Sequence, residues 1–179
     1  MKATVIPLIV LCATLAVTYS VPAYGQSESD ERDEMVRIQN SLKLIRAFEH
    51  DSRHLYYLQA NAIIADQGGW NEGELAYGTR ADLLGEAAES LLLPKFKRLS
   101  SRLGNNKNLS DQEKTRLLEA VDQMLRAVYL SNSIAEALNA SDLDLAIKLY
   151  HDQSVPLFEA VWATNYTLIS EAERRFPRR

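Results

Sequence analysis

The sequence predicts an all-α protein, an up-down-up-down antiparallel four-helix bundle, from three observations. Apolar residues recur at spacings of three and four through four long stretches, short glycine- or asparagine-rich breaks separate those stretches, and no alternating run is long enough to make a strand. A chain of 179 residues with 46% hydrophobic content suits one core, so a single bundle domain is expected over 26–179. Long helices joined by short loops lie close to antiparallel.

Residues 1–25 have the composition of an export signal. Lys2 supplies a minimal positive n-region, Ile6 to Val17 is apolar, and Ala23 and Gly25 are small residues before a cut preceding Gln26. The alternative is an uncleaved anchor, because Val5 to Tyr24 matches the roughly 20 residues a membrane span needs. Cys12 is the only cysteine, and it follows Leu11, where lipoprotein motifs carry a small residue. Cleavage therefore leaves no thiol, which removes disulfides, thiolate metal sites and cysteine catalysis together. Loss of Lys2 moves the formal charge from −4 to −5, and an acidic exported domain has no electrostatic reason to hold nucleic acid. A periplasmic or secreted location follows, with membrane contact only through the N-terminal segment if it is retained.

Helix 1 is expected from about Asp30 to Ala65. Met35, Ile38, Leu42, Ile45, Phe48, Ser52, Leu55, Gln59 and Ile63 share one face, flanked by the more polar row Ala47, His50, His54, Tyr57 and Asn61. The break Asp66 to Glu74 holds three of the seven glycines together with Trp70, and Asn71 with Glu74 fits a capping box for helix 2. Helix 2 runs on to about Leu103 with the small residues Gly78, Ala81, Gly85 and Ala88 in register, and Pro94 is expected to kink it. After the loop 104–108, Ser110 and Glu113 form a second capping box and open helix 3, which buries Leu117, Val121, Met124, Val128, Ser131, Ala135 and Leu138. Asn139-Ala140 is a tight connection and Ser141 is expected to cap helix 4. Helix 4 buries Ala146, Leu149, Leu157, Ala160, Val161, Thr164, Leu168 and Ala172, with a kink at Pro156.

Enzymatic signatures are missing from the sequence. It contains no H-E-x-x-H, no G-x-S-x-G, no phosphate loop and no C-x-x-C-H, and Glu49 beside His50 is at the wrong spacing for the Glu-x-x-His of di-iron bundles. No catalysis and no cofactor are expected. His50 and His54 lie one turn apart, and His151 falls near the level of His54 in an antiparallel pair, so these three define an alternative metal- or haem-binding reading. Tyr56, Tyr57, Tyr77, Tyr129, Tyr150 and Trp70 all fall in the half of the bundle that carries the glycine-rich turn. A tyrosine joins an apolar face to a hydroxyl, so Tyr57, Trp70, Tyr129 and Tyr150 are candidate walls of a ligand site, with Arg53 and Arg80 as cations for an anionic group. The plainer alternative has the tyrosines filling space beside Gly78 and Gly85. Sequons at Asn108, Asn139 and Asn165 matter only in a eukaryotic secretory pathway.

The stretch Ala65-Asp66-Gln67-Gly68-Gly69-Trp70-Asn71 with Arg80 and Asp82, and the segment Ala135 to Leu168 with Ala137, Asp142, Ala146, Leu149 and Pro156, resemble the extracellular four-helix-bundle sensor domains of bacterial chemoreceptors and histidine kinases. Gln67 stands where that pattern has an arginine. The resemblance implies ligand recognition by helix 1 and helix 4 side chains in the distal half, often across a homodimer interface. A receptor would continue into a second membrane span after helix 4, so the expectation is a free-standing exported relative. Its partner would be a small-molecule ligand or an envelope protein, and a structural or chaperone-like envelope role is a further alternative.

Overall fold

Four helical rods make up the described residues, and no strand occurs among them. The structure, a computed structural model, describes residues 24–66 and 81–176. Residues 1–23 of the expected leader, the glycine-rich turn from Gln67, the Asn71–Glu74 capping box, Trp70 and Arg80 lie outside the described residues. No helix among them is long and apolar enough to cross a membrane.

The first rod is α1 (Tyr24–Asp66), 43 residues and about 64 Å long at 1.5 Å per residue. It begins ahead of Asp30, and residues 29–37 are exposed apart from the half-buried Met35. From Ile38 onward the expected stripe turns inward, with Ile45, Leu55 and Gln59 fully buried and the His50, His54 and Tyr57 row exposed.

The second rod comprises α2 (Ala81–Ala87), a widened π turn (Ala88–Leu92) and α3 (Leu93–Leu103). The fourth repeats this plan with α5 (Leu143–Leu149), a π turn (Tyr150–Ser154) and α6 (Val155–Arg174). In each, the proline sits two residues beyond the π turn, at Pro94 and Pro156. The prolines do not break the rods. A proline lacks an N–H and crowds the carbonyl four residues back. In the widened turns the bonds instead reach five residues, from the Leu93 N–H to the Ala88 carbonyl and from the Val155 N–H to the Tyr150 carbonyl. The extra residue moves the buried stripe. Leu84, Ala88, Leu92 and Phe96 recur every four residues, as do Ala146, Tyr150, Ser154 and Phe158. Of the positions expected to face inward on helix 4, Ala146, Val161, Leu168 and Ala172 are buried, but Leu149, Leu157, Ala160 and Thr164 are only half-buried, and Tyr150, Phe158 and Asn165 take the interior beside them.

The third rod, α4 (Asp111–Asn139), starts with the expected capping box: the Glu113 N–H donates to Ser110 Oγ and the Ser110 N–H to Glu113 Oε2. Every position of its expected stripe is buried. The connection to α5 corrects one expectation, since Asp142 and not Ser141 is the cap, its carboxylate accepting from the Leu145 N–H at 3.0 Å. Ser141 instead adopts a left-handed φ of 58° that closes α4, with N–H groups of Ser141 and Asp142 donating back to the carbonyls of Leu138 and Ala137. That pair of bonds is the Schellman arrangement, in which the left-handed position is usually glycine.

One continuous apolar core joins all four rods, and a smaller cluster of Ile38, Leu42 and Ala172, covered by Ile169 and Phe176, closes one end. Polar ties tack that end together. Arg46 pairs with Glu173 at 3.0 Å, Arg116 with Glu171 at 3.0 Å, and Arg175 with Glu113.

Candidate functional site

Two neighbouring features flank α1 in its second half. On the side facing the fourth rod, Tyr56 is the hub of an aromatic seam. Its ring lies 5.8 Å from Tyr150, 5.4 Å from Phe158, 5.1 Å from Trp162 and 5.5 Å from Tyr57. Edge-to-face geometry prevails, the arrangement aromatic quadrupoles favour. The π turn makes this seam possible, because it rotates Tyr150 into the same interior stripe as Phe158. Burial, together with the Tyr56 hydroxyl beside it, pushes the Tyr150 phenol well above the usual tyrosine range, so it stays neutral. Arg53 caps the seam with its guanidinium 5.4 Å from the Trp162 ring centre, while its charge is taken up by Glu49 at 2.8 Å.

On the other side, α1 and the second rod do not close completely. They leave a groove of about 470 Å³ lined by Leu58, Leu83, Ala87 and Leu91 and by three polar side chains, His54 from α1 and Glu86 and Ser90 from the second rod. Leu83 and Leu91 are 38% and 56% exposed, large values for leucines that share one rod face. The position between them is Ala87, whose side chain is too short to fill the space. Apolar walls with a few polar groups among them, at a volume within the roughly 300–1,000 Å³ of small-molecule sites, are the usual make-up of a ligand pocket. Ser90 Oγ donates to the Glu86 carbonyl, which leaves its lone pairs to accept. Glu86 makes no ion pair among the described residues.

The interior between these features is more polar than a plain bundle core. Gln59 Nε2 donates to Ser131 Oγ at 2.8 Å and to the Ala127 carbonyl at 2.9 Å. Asn165 is fully buried, and neither atom of its amide has a protein partner. The same burial removes the Asn165 sequon from any surface chemistry in the folded chain.

Among the sequence-derived candidates, Arg53, Tyr57 and Tyr150 are brought together by the aromatic seam, Tyr150 inside it and Tyr57 half-exposed at its rim. Tyr129 stands on α4, 54% exposed, and has no ring contact with the seam. Trp70 and Arg80 lie outside the described residues. Of the alternative metal ligands, all exposed, His50 is 3.8 Å from Asp51, His54 lines the groove and His151 packs against Tyr150. No three His, Cys, Asp or Glu side chains among the described residues converge as a metal site. Sequence reasoning missed the groove. Its signal was a second apolar row, Leu83, Ala87 and Leu91, running every four residues beside the buried row of α2. No family, no curated protein and no solved structure matches this chain.

Proposed function

We propose that this chain is an exported, sensor-like four-helix bundle that binds a small molecule without catalysis, with its rods arranged up-down-up-down and antiparallel. The observation that carries the binding reading is the groove between α1 and the second rod: about 470 Å³ of space, mostly apolar walls, and three polar side chains in the lining. The topology is supported by the order of the ties. Positions 46 and 56 of α1 meet 173 and 162 of α6, so one rod ascends as the other descends. Positions 41 and 59 of α1 meet 108 and 131, both ascending. The export reading rests on the composition of residues 1–25. The aromatic seam serves this function as a rigid wall behind α1, holding His54 and Leu58 in place on its opposite side.

A thermal-shift screen with amines, amino acids and organic acids tests the reading. Ligand at a hundredfold its Kd adds about 2.7 kcal/mol, a shift of roughly 5–10 °C for a chain of this size. Replacement Ala87→Leu fills the groove and is expected to abolish the shift. The reading fails if no compound shifts the melting temperature, or if Ala87→Leu leaves every hit intact.

A further inference from the structure

We infer that the groove takes an amphipathic cation, a small molecule with an apolar ring or chain lying between Leu83 and Leu91 and an ammonium group set against the Glu86 carboxylate. The inference rests on the proposed small-molecule function and specifies the ligand class. Its first ground is charge. Glu86 is the one Asp, Glu, Lys or Arg side chain in the lining, and it makes no ion pair among the described residues. The nearby carboxylates are satisfied, since Glu49 holds Arg53, Asp51 holds Lys95 at 2.7 Å, and Glu89 accepts from the Asn132 amide at 2.5 Å. No lysine or arginine lines the groove to attract an anion.

Shape is the second ground. Leu83 and Leu91 are eight residues apart, about 12 Å along the helix axis, with Ala87 as the low point between them and Leu58 as the floor. A flat or linear apolar body fits lengthwise in such a trough. Ser90 adds an acceptor one turn beyond Glu86, because its own hydroxyl proton is already given to the Glu86 carbonyl. An ammonium has three donors and no acceptor, which suits a carboxylate and a hydroxyl lone pair placed one turn apart.

The test uses the purified chain with three probes on one phenylpropyl skeleton: 3-phenylpropylammonium, 3-phenylpropanol and 3-phenylpropionate, titrated by calorimetry at low and at physiological salt. The ammonium probe is expected to bind most tightly, to weaken with salt and to lose at least about tenfold in affinity in Glu86→Gln, while the alcohol is unaffected by that change. Glu86→Gln replaces an exposed side chain, and its unchanged melting temperature without probe checks that the fold is intact. Ammonium affinity in Glu86→Gln equal to the original, or equal affinity for the propionate, overturns the cation assignment. In that case loss of binding in Ala87→Leu would leave the groove standing as a small-molecule site. If no probe binds, the cation assignment falls, and the broader screen decides the small-molecule reading separately.

Discussion

Ser141 holds a left-handed backbone conformation that a residue with a Cβ adopts at a cost of about 1 kcal/mol. Ser141→Gly is therefore expected to stabilise the fold by about 0.5–1 kcal/mol, read as a higher midpoint in urea, and a lower midpoint would show that the serine contributes something its backbone does not reveal. Glu113 works in the opposite sense. Burial raises its pKa, but the Ser110 hydrogen bonds and the Arg175 guanidinium outweigh burial and hold it below the ordinary 4.5. Since the folded value is the lower one, the unfolded chain binds the proton first. The stability Glu113 contributes is complete above about pH 4.5 and is lost as pH falls through the folded value. Denaturation midpoints measured from pH 6 down to 3 should show a drop that is smaller in Glu113→Gln. Asn165 illustrates an unsatisfied interior group: Asn165→Leu is expected to raise stability by about 1 kcal/mol, because a buried amide without a protein partner costs about that much or more.

The two π turns are the elements that separate this bundle from four plain helices. Each is one residue longer than the α-helical path it replaces, and each stands before a proline. Removing the extra residue should be tolerated there and nowhere else. Deletion of the exposed Asp152 together with Pro156→Ala brings Phe158, Val161 and Asn165 back to spacings of three and four from Tyr150, so a cooperative melt is expected. Deletion of Glu119 in α4, which has no such turn, rotates everything beyond it by about 100° and is expected to abolish cooperative unfolding. Circular dichroism melts of the two variants distinguish these outcomes. If both unfold alike, the π turns are fixed by more than the spacing of their buried faces.

At the scale of the whole molecule, stability is concentrated in the continuous core and thins toward the end where Ile38, Leu42 and Ala172 cluster. Phe158 sits at full burial where the aromatic seam meets that core, so Phe158→Ala should cost about 3–5 kcal/mol. Ile38→Ala, in the smaller cluster with room to relax, should cost about 2 kcal/mol. Comparable losses in guanidinium titrations would mean that the end cluster belongs to the main cooperative unit. The exposed ion pairs at that end, such as Arg46 with Glu173, add less than about 1 kcal/mol each.

Periodicity and capping chemistry are local properties, and by themselves they determined the all-helical class, the inward faces of α1 and α4 and the Ser110–Glu113 box. A stripe at three-and-four spacing is legible because every residue of it answers to the same helical geometry. Three features were left to the tertiary structure. The exchange of Leu149, Leu157 and Thr164 for Tyr150, Phe158 and Asn165 in the fourth rod was one, since a proline tells that the helix is disturbed but not that it will widen. The partners of the tyrosines were another: Tyr150 meets Tyr56 and Tyr129 does not, a choice made by rod rotation. The third is the groove, which exists because Ala87 is too small to close the space between α1 and the second rod while Leu83 and Leu91 stand to either side. A shortfall between two surfaces is a property of the pair, and no single stretch of residues carries it.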